Sequence, residues 1–332
     1  MSHGSHGIST NGAAVSLAAL LSRGDGSDEL VDLAGWDGRK IAKDELLWID
    51  LVDPSDDELR TVGSALGLGK ESVDALSSPA SGPSATVRGE SVEVGVHAPG
   101  PNHDDEPVVL QILVGTGWVI TNHDREIPFL EEHREKIQDQ REVGLLSPVE
   151  FLADLLEWHV NAFLRAAEQL ELEVEKLDDA ALRTERDLVD RLVAMRRQIA
   201  HVRRMLTPHR EVYSELTRPD FLPQLNEREE RALAAAAKRL ERAVDAIANA
   251  REMLIGTFDV HMTRTAQRTN EVMKVLTLAS VILLPSVVLA GVMGMNFKVA
   301  IFDNPNLFWV VIGIMAVLAI GTVVAARWRH WL

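Results

Sequence analysis

The stretch VLTLASVILLPSVVLAGVM, Val275 to Met293, leads through a loop opening Gly294-Met295-Asn296 to a second, LFWVVIGIMAVLAIGTVVAA, Leu307 to Ala326. Neither carries a charge. An α-helix needs about 20 predominantly apolar residues to cross a hydrocarbon core about 30 Å thick, and buried helices of soluble proteins seldom stay uncharged for so long. The pair therefore predicts two membrane spans, near 273–293 and 307–326, in a C-terminal domain of residues 272–332. Two spans around a short loop point to an ion channel or transporter.

Charge separates this end from the rest. From Val272 onward the basic residues are Lys274, Lys298, Arg327 and Arg329, and the one acid is Asp303. Of 34 basic and 50 acidic residues in the chain, 30 and 49 precede residue 272, a net charge of −19. The larger part is thus an acidic, soluble domain. Such a balance repels nucleic acid and anionic lipid and favours cations, although excess acid also serves solubility alone. With no cysteine in the chain, disulfides, thiolate metal ligands and cysteine nucleophiles are excluded.

No targeting signal is recognisable at the front, where Ala13 to Leu21 is briefly apolar without preceding basic residues. Arg264, Arg268 and Lys274 precede the first span, Arg327 and Arg329 follow the second, and the connecting loop offers only Lys298. By the positive-inside rule both termini are cytoplasmic, and the multi-pass chain sits in the cell membrane with the Gly-Met-Asn loop outside.

Residues 1–43 read as a flexible tail, in which His3 and His6 are ordinary tail histidines. An α+β domain is expected over 44–146, beginning with a strand at Leu46 to Val52. Ser55-Asp56-Asp57-Glu58 reads as a capping box opening a helix. Further strands are expected at Ser91 to His97, Val108 to Val114 and Trp118 to Thr121, the last two joined by the turn Gly115-Thr116-Gly117. A helical region, 147–271, follows. Ser147-Pro148-Val149-Glu150 combines a capping box with proline at the first helical position. Helices are expected from Pro148 to about Arg183 and from about Arg186 to Leu206. Glu168, Glu171, Glu173, Glu175, Asp178 and Asp179 crowd the first, a face that is either solvated or occupied by counter-ions.

After Pro223 no proline occurs before Pro285, and Gly256 is the one glycine before the membrane. A single helix can therefore run from about Gln224 to Leu284, roughly 90 Å at about 1.5 Å per residue. No single globular domain needs such a helix, whereas a funnel of several copies does. Along it, Asn270, Met273, Leu276 or Thr277, Ser280, Leu284, Val287 and Gly291 recur every three or four residues and form one stripe. Polar and small groups alternating with Met and Leu suit a pore wall with hydrophobic constrictions, and equally a packing seam between membrane helices.

Enzymatic readings find no support: there is no Walker A loop, no His-Glu-x-x-His and no nucleophile elbow. His97 and His103 with Asp104 and Asp105 read as a surface loop rather than a metal site.

The run Thr269-Asn270-Glu271-Val272-Met273-Lys274-Val275-Leu276-Thr277, then Pro285, Ala290-Gly291, Gly294-Met295-Asn296-Phe297 and the basic end Arg327-Trp328-Arg329 resembles the CorA family of divalent-cation channels. The resemblance is tight from Asp259 onward and looser before it. It implies a funnel-shaped homopentamer, with five first spans lining the pore and the Gly-Met-Asn loops ringing its outer mouth. It also implies Mg²⁺ as the usual substrate, entering passively, with no resident cofactor. Asn270, Met273, Leu276 and Leu284 match the family's pore-facing positions, with Met273 and Leu276 at the gate. Asn296 and the Gly294 carbonyl match its selectivity ring. Asp259 matches an acidic position of the lower funnel, where cytoplasmic Mg²⁺ would regulate the gate; of the acidic pair that the resemblance implies between subunits, Ala235 stands at about the place of one partner and Asp104 or Asp105 stands for the other. The chain departs from the family's usual pattern at Met293, where tyrosine is common, at Val287 in place of a threonine ring, and in the Lys298 to Asp303 loop. Alternatives are therefore a Zn²⁺ transporter of the same superfamily, proton-coupled or not, and a non-conducting membrane-anchored sensor or scaffold.

Overall fold

The computed structural model describes residues 17–25, 27–36, 39–78, 82–100, 106–140, 146–183, 185, 187–222, 224–295 and 306–328. The chain divides into two compact units, one formed by residues up to Leu177 with Val189–Ile255, the other by Asp178–Leu188 with Gly256–Leu332.

The first unit is built on seven strands: β1 (Leu17–Arg23), β2 (Asp28–Leu30), β3 (Glu45–Val52), β4 (Ser84–Arg88), β5 (Ser91–Ala98), β6 (Val108–Gly115) and β7 (Trp118–His123). They form one mixed sheet in the order β2-β1-β3-β7-β6-β5-β4. Among the described residues only β3 and β7 pair in parallel, with Ile49 opposite Ile120; the other neighbours are antiparallel. The β6–β7 turn depends on its glycines. Gly117 adopts φ 84°, and a Cβ on Gly115 would lie 2.2 Å from the Trp118 ring.

Helices cover both faces, which is why β3 is nearly continuously apolar. Between β3 and β4 run α1 (Asp56–Leu66) and α2 (Lys70–Ser77), whose Leu59, Val62 and Leu76 pack with Leu47, Ile49 and Leu51 of β3. Trp48, pointing the other way, meets Phe151 of α4 (Pro148–Arg183) and His133 of α3 (Pro128–Gln140) at ring-centroid distances of 5.5 and 5.6 Å. The unit is completed by α5 (Leu188–Leu206) from Val189 on, by α6 (His209–Leu216), which packs against β4, and by α7 (Glu227–Met293) as far as Ile255.

Both expected capping boxes form. The Ser55 N–H donates to Glu58 at 2.8 Å and the Ser147 N–H to Glu150 at 2.8 Å, each serine hydroxyl accepting the reciprocal backbone N–H. The Ser147 hydroxyl also donates to Glu229 Oε1 at 2.6 Å. Glu229 itself closes a third box with Asn226, which opens α7 three residues later than the proline at 223 suggested.

The expectation of an irregular tail to Lys43 is corrected. Leu17–Arg23 is a strand whose every residue pairs with β3, from Leu17 opposite Leu51 to Arg23 opposite Glu45, and Leu21 is fully buried. Its hydrogen-bond partner lies almost thirty residues downstream, so no local pattern announces it. Residues 1–16 lie outside the described residues.

Several polar groups are sealed into this unit. Asp50 of β3 accepts from Thr121, His123 and Arg134. Under α4, His159 contacts the Tyr213 hydroxyl at 2.9 Å and the His97 carbonyl at 3.0 Å, and His209 Nε2 accepts the His97 N–H at 2.8 Å.

Candidate functional site

Among the described residues, two helices are long and apolar enough to cross a membrane: α7, 67 residues long, and α8 (Leu307–Trp328). At about 1.5 Å per residue α7 extends roughly 100 Å. It passes through Pro285, which has no N–H to give and so leaves the Val281 carbonyl without its helical partner.

In the second unit each span is shielded along one narrow stripe. On α7 the partly covered positions are Leu278, Ile282, Pro285, Ser286, Leu289 and Met293; on α8 they are Val311, Met315, Ala319 and Thr322, ending at buried Ala326. Each set follows the i, i+3, i+4 spacing of one helix face, as expected of two helices leaning on each other along a seam.

Asn270, Met273, Leu276, Thr277, Ser280, Leu284, Val287 and Gly291 are all exposed. At about 100° per residue they centre on the face of α7 opposite its shielded stripe. Large side chains there have little cover in the chain: Met273 is 54% exposed, Leu284 66% and Val287 67%. A Cβ built on Gly291 meets nothing within 4 Å, so the chain itself gives no steric reason for glycine at that position. The Ser280 hydroxyl donates to the Leu276 carbonyl at 2.8 Å, which fixes its rotamer and leaves its oxygen able to accept.

The helix ends where the tripeptide begins. Gly294 N–H donates to Ala290 O at 2.9 Å and Met295 N–H to Val292 O at 3.3 Å. Asn296 lies outside the described residues, as do Asp104 and Asp105. Asp259 is exposed on α7. Among the described residues no group of three or more His, Asp or Glu side chains is gathered as for a metal ion.

Sequence reading missed the sealed polar groups. An aspartate inside the apolar run Leu46-Leu47-Trp48-Ile49-Asp50-Leu51-Val52 was the available signal for one of them. Each is closed by hydrogen bonds within the first unit.

Among solved structures, the complete CorA magnesium transporter of Methanocaldococcus jannaschii superposes with a TM-score of 0.76 at 22% identity, covering 95% of this chain and 98% of that one. The cobalt/magnesium transport protein CorA of Thermotoga maritima is 27% identical over 237 residues, 69% of this chain and 66% of its own length. The zinc transport protein ZntB of Klebsiella pneumoniae is 24% identical over 311 residues, covering 87% of this chain and 88% of that one. The family model described as CorA-like Mg²⁺ transporter protein matches residues 43–325, and the chain belongs to that family.

Proposed function

We propose that this CorA-family divalent-cation transporter is a homopentameric channel admitting Mg²⁺ passively, driven by the membrane potential, with Co²⁺ and Ni²⁺ as further substrates. The observation that carries the reading is the stripe from Asn270 to Gly291: continuous on one helix, exposed throughout, and opposite the shielded face. Five copies turned so that this stripe meets an axis give a pore with polar steps at Asn270, Thr277 and Ser280. Met273 and Leu276 form a constriction near the inner surface, and Leu284 and Val287 a second apolar stretch, each able to gate by excluding water. Gly291 admits close approach of neighbouring helices.

Mg²⁺ gives up its water reluctantly and is usually bound with several waters kept. The Asn296 amide and the Gly294 carbonyl are neutral acceptors suited to those waters, and Met295 sets their spacing in the loop. Cytoplasmic Mg²⁺ bound at acidic sites, with Asp259 and Asp104 or Asp105 as the candidate ligands, holds the symmetric pentamer closed. The distribution of Arg264, Arg268, Lys274, Arg327 and Arg329 against Lys298 supports a multi-pass protein of the cell membrane with both termini in the cytoplasm.

A Zn²⁺ transporter is the second reading, favoured by the zinc-transporting relative and by Met293, Val287 and Lys298 around the tripeptide. Flux of Mg²⁺, Co²⁺ and Zn²⁺ into liposomes, with and without a pH gradient, separates the two. Mg²⁺ flux indifferent to the gradient and reduced at least about tenfold in Asn296→Ala is the expected result; tenfold corresponds to only about 1.4 kcal/mol. Proton-coupled Zn²⁺ uptake without Mg²⁺ flux would replace the first reading with the second, and no divalent flux at all would leave a sensor or scaffold.

A further inference from the structure

From Met262 to Thr277, a stretch of α7 about 24 Å long, every residue is exposed, whereas Val260 and His261 before it and Leu278 after it are partly covered. The stretch carries Arg264, Arg268 and Lys274 against Glu271, so it is locally basic on a strongly acidic chain. Among the described residues no ion pair or side-chain hydrogen bond engages Arg264, Arg268 or Lys274. Asp178, Asp179, Glu185 and Asp187, acids of the same unit, do not pair with them.

At about 100° per residue Arg264 and Arg268 share one side of α7, nearly opposite the stripe of Met273, Ser280 and Leu284 and in line with the shielded Leu278, Ile282 and Leu289. Gln267 and Glu271 stand on the same side and Lys274 at its flank. Orienting a span requires only that basic residues precede it, on any side of the helix. Here the arginines gather on one uncovered side, away from the pore stripe. Along the axis Arg268 lies about 9 Å and Arg264 about 15 Å beneath Lys274. The headgroup layer outside the hydrocarbon core is about 5–8 Å deep, and long basic side chains bridge the remaining distance by snorkelling. Arg327 and the 90% exposed Trp328 end α8 at the same cytoplasmic boundary.

We infer that Arg264 and Arg268 bind the phosphate of an anionic phospholipid of the inner leaflet, with Lys274 and Arg327 adding to the local positive potential. The inference rests on the homopentamer proposed above. With the pore stripe turned to the axis, the arginine side faces outward to the bilayer surface, and neighbouring copies lie to either side. The phosphodiester supplies the anion that the chain itself does not offer these guanidinium groups, in charge-assisted hydrogen bonds. The acidic domain as a whole repels such a lipid; this stretch, with three bases to one acid, attracts it.

Full-length protein in mild detergent, titrated separately with phosphatidylglycerol and with phosphatidylcholine of the same acyl chains, tests this by native mass spectrometry, which reads bound lipid and oligomer together. Phosphatidylglycerol is expected to be held at least about fivefold more tightly, because each basic residue at an anionic surface is worth about that factor. Arg264→Gln with Arg268→Gln should remove the preference and leave the oligomer intact, whereas Arg264→Lys with Arg268→Lys, which keeps both charges, should preserve most of it. A pentamer that holds the two lipids equally, or whose preference survives the glutamine pair, overturns the lipid site alone. Displacement of phosphatidylglycerol by inorganic phosphate would make this a site for free anions, and loss of the pentamer in the glutamine pair would assign the arginines to a contact between copies; either result overturns the inference. A wild-type monomer overturns the pentamer, and its own lipid preference still decides the site.

Discussion

Asp50 is 3% exposed, and its carboxylate is held by three donors. Burial pushes its pKa up, but the hydrogen bonds and charges of His123, Thr121 and Arg134 outweigh that and keep it below the usual carboxylate range. His123 is fixed as an imidazolium by geometry: Nδ1 lies 2.6 Å from the Arg125 carbonyl and Nε2 3.1 Å from Asp50, both acceptors. Burial lowers its pKa, and Asp50 more than reverses this, so the net shift is upward. The stability His123 contributes is therefore complete below about pH 6.5 and is lost as pH rises through its raised value. His159 has the opposite sign, since burial depresses it to about 4. The neutral ring stabilises the fold above about pH 6.5, and acidification from there to pH 4 removes about 3 kcal/mol. Burial and the neighbouring His159 depress His209 as well. Thermal unfolding of the intact protein should thus show a maximum of Tm near neutrality, with His123→Gln flattening the alkaline limb and His159→Gln the acid limb; a Tm unchanged from pH 5 to 9 would contradict this. Asp50→Asn, which strands Arg134 and His123 without their anion, is expected to cost about 3–5 kcal/mol.

At the scale of elements, α7 was the most legible part of the chain, because the absence of proline from 224 to 284 and the uncharged run beyond Lys274 are local facts that a bilayer demands. The capping boxes at Ser55 and Ser147 were legible for the same reason: donor and acceptor sit three residues apart. β1 and the parallel pairing of β3 with β7 were not, since each depends on residues far away in sequence. The roles expected of Asn296 and Asp259 rest on a family resemblance rather than on any local spacing. Two substitutions probe α7 at its ends. Asn226→Ala removes the cap that accepts from Arg228 and Glu229, and should lower unfolding stability by about 1 kcal/mol in denaturant titration. Gly291→Leu adds a side chain where the chain has open space, so helix content should stay unchanged while Mg²⁺ flux falls steeply. Normal flux in that variant would show that position 291 faces neither a pore nor a neighbouring helix. Met273→Ser, by wetting an apolar constriction, is expected to raise flux at high internal Mg²⁺, read as a leak in the same liposomes.

For the whole molecule, exposure and charge make sense only with partners. Both spans leave most of their large apolar side chains uncovered, which in water would be an unusually large apolar surface and in a bilayer is ordinary. The acidic domain, at −19, suits a protein that concentrates cations at one side of a pore. Passive conduction has a quantitative signature, because a divalent ion gains about 4.6 kcal/mol per 100 mV. The most direct test of the account is Mg²⁺ uptake into liposomes clamped at a series of inside-negative potentials. The account predicts internal Mg²⁺ approaching about a tenfold accumulation for each 30 mV or so, with no requirement for a pH gradient. Uptake that ignores the potential and follows the proton gradient, or no uptake, would contradict it.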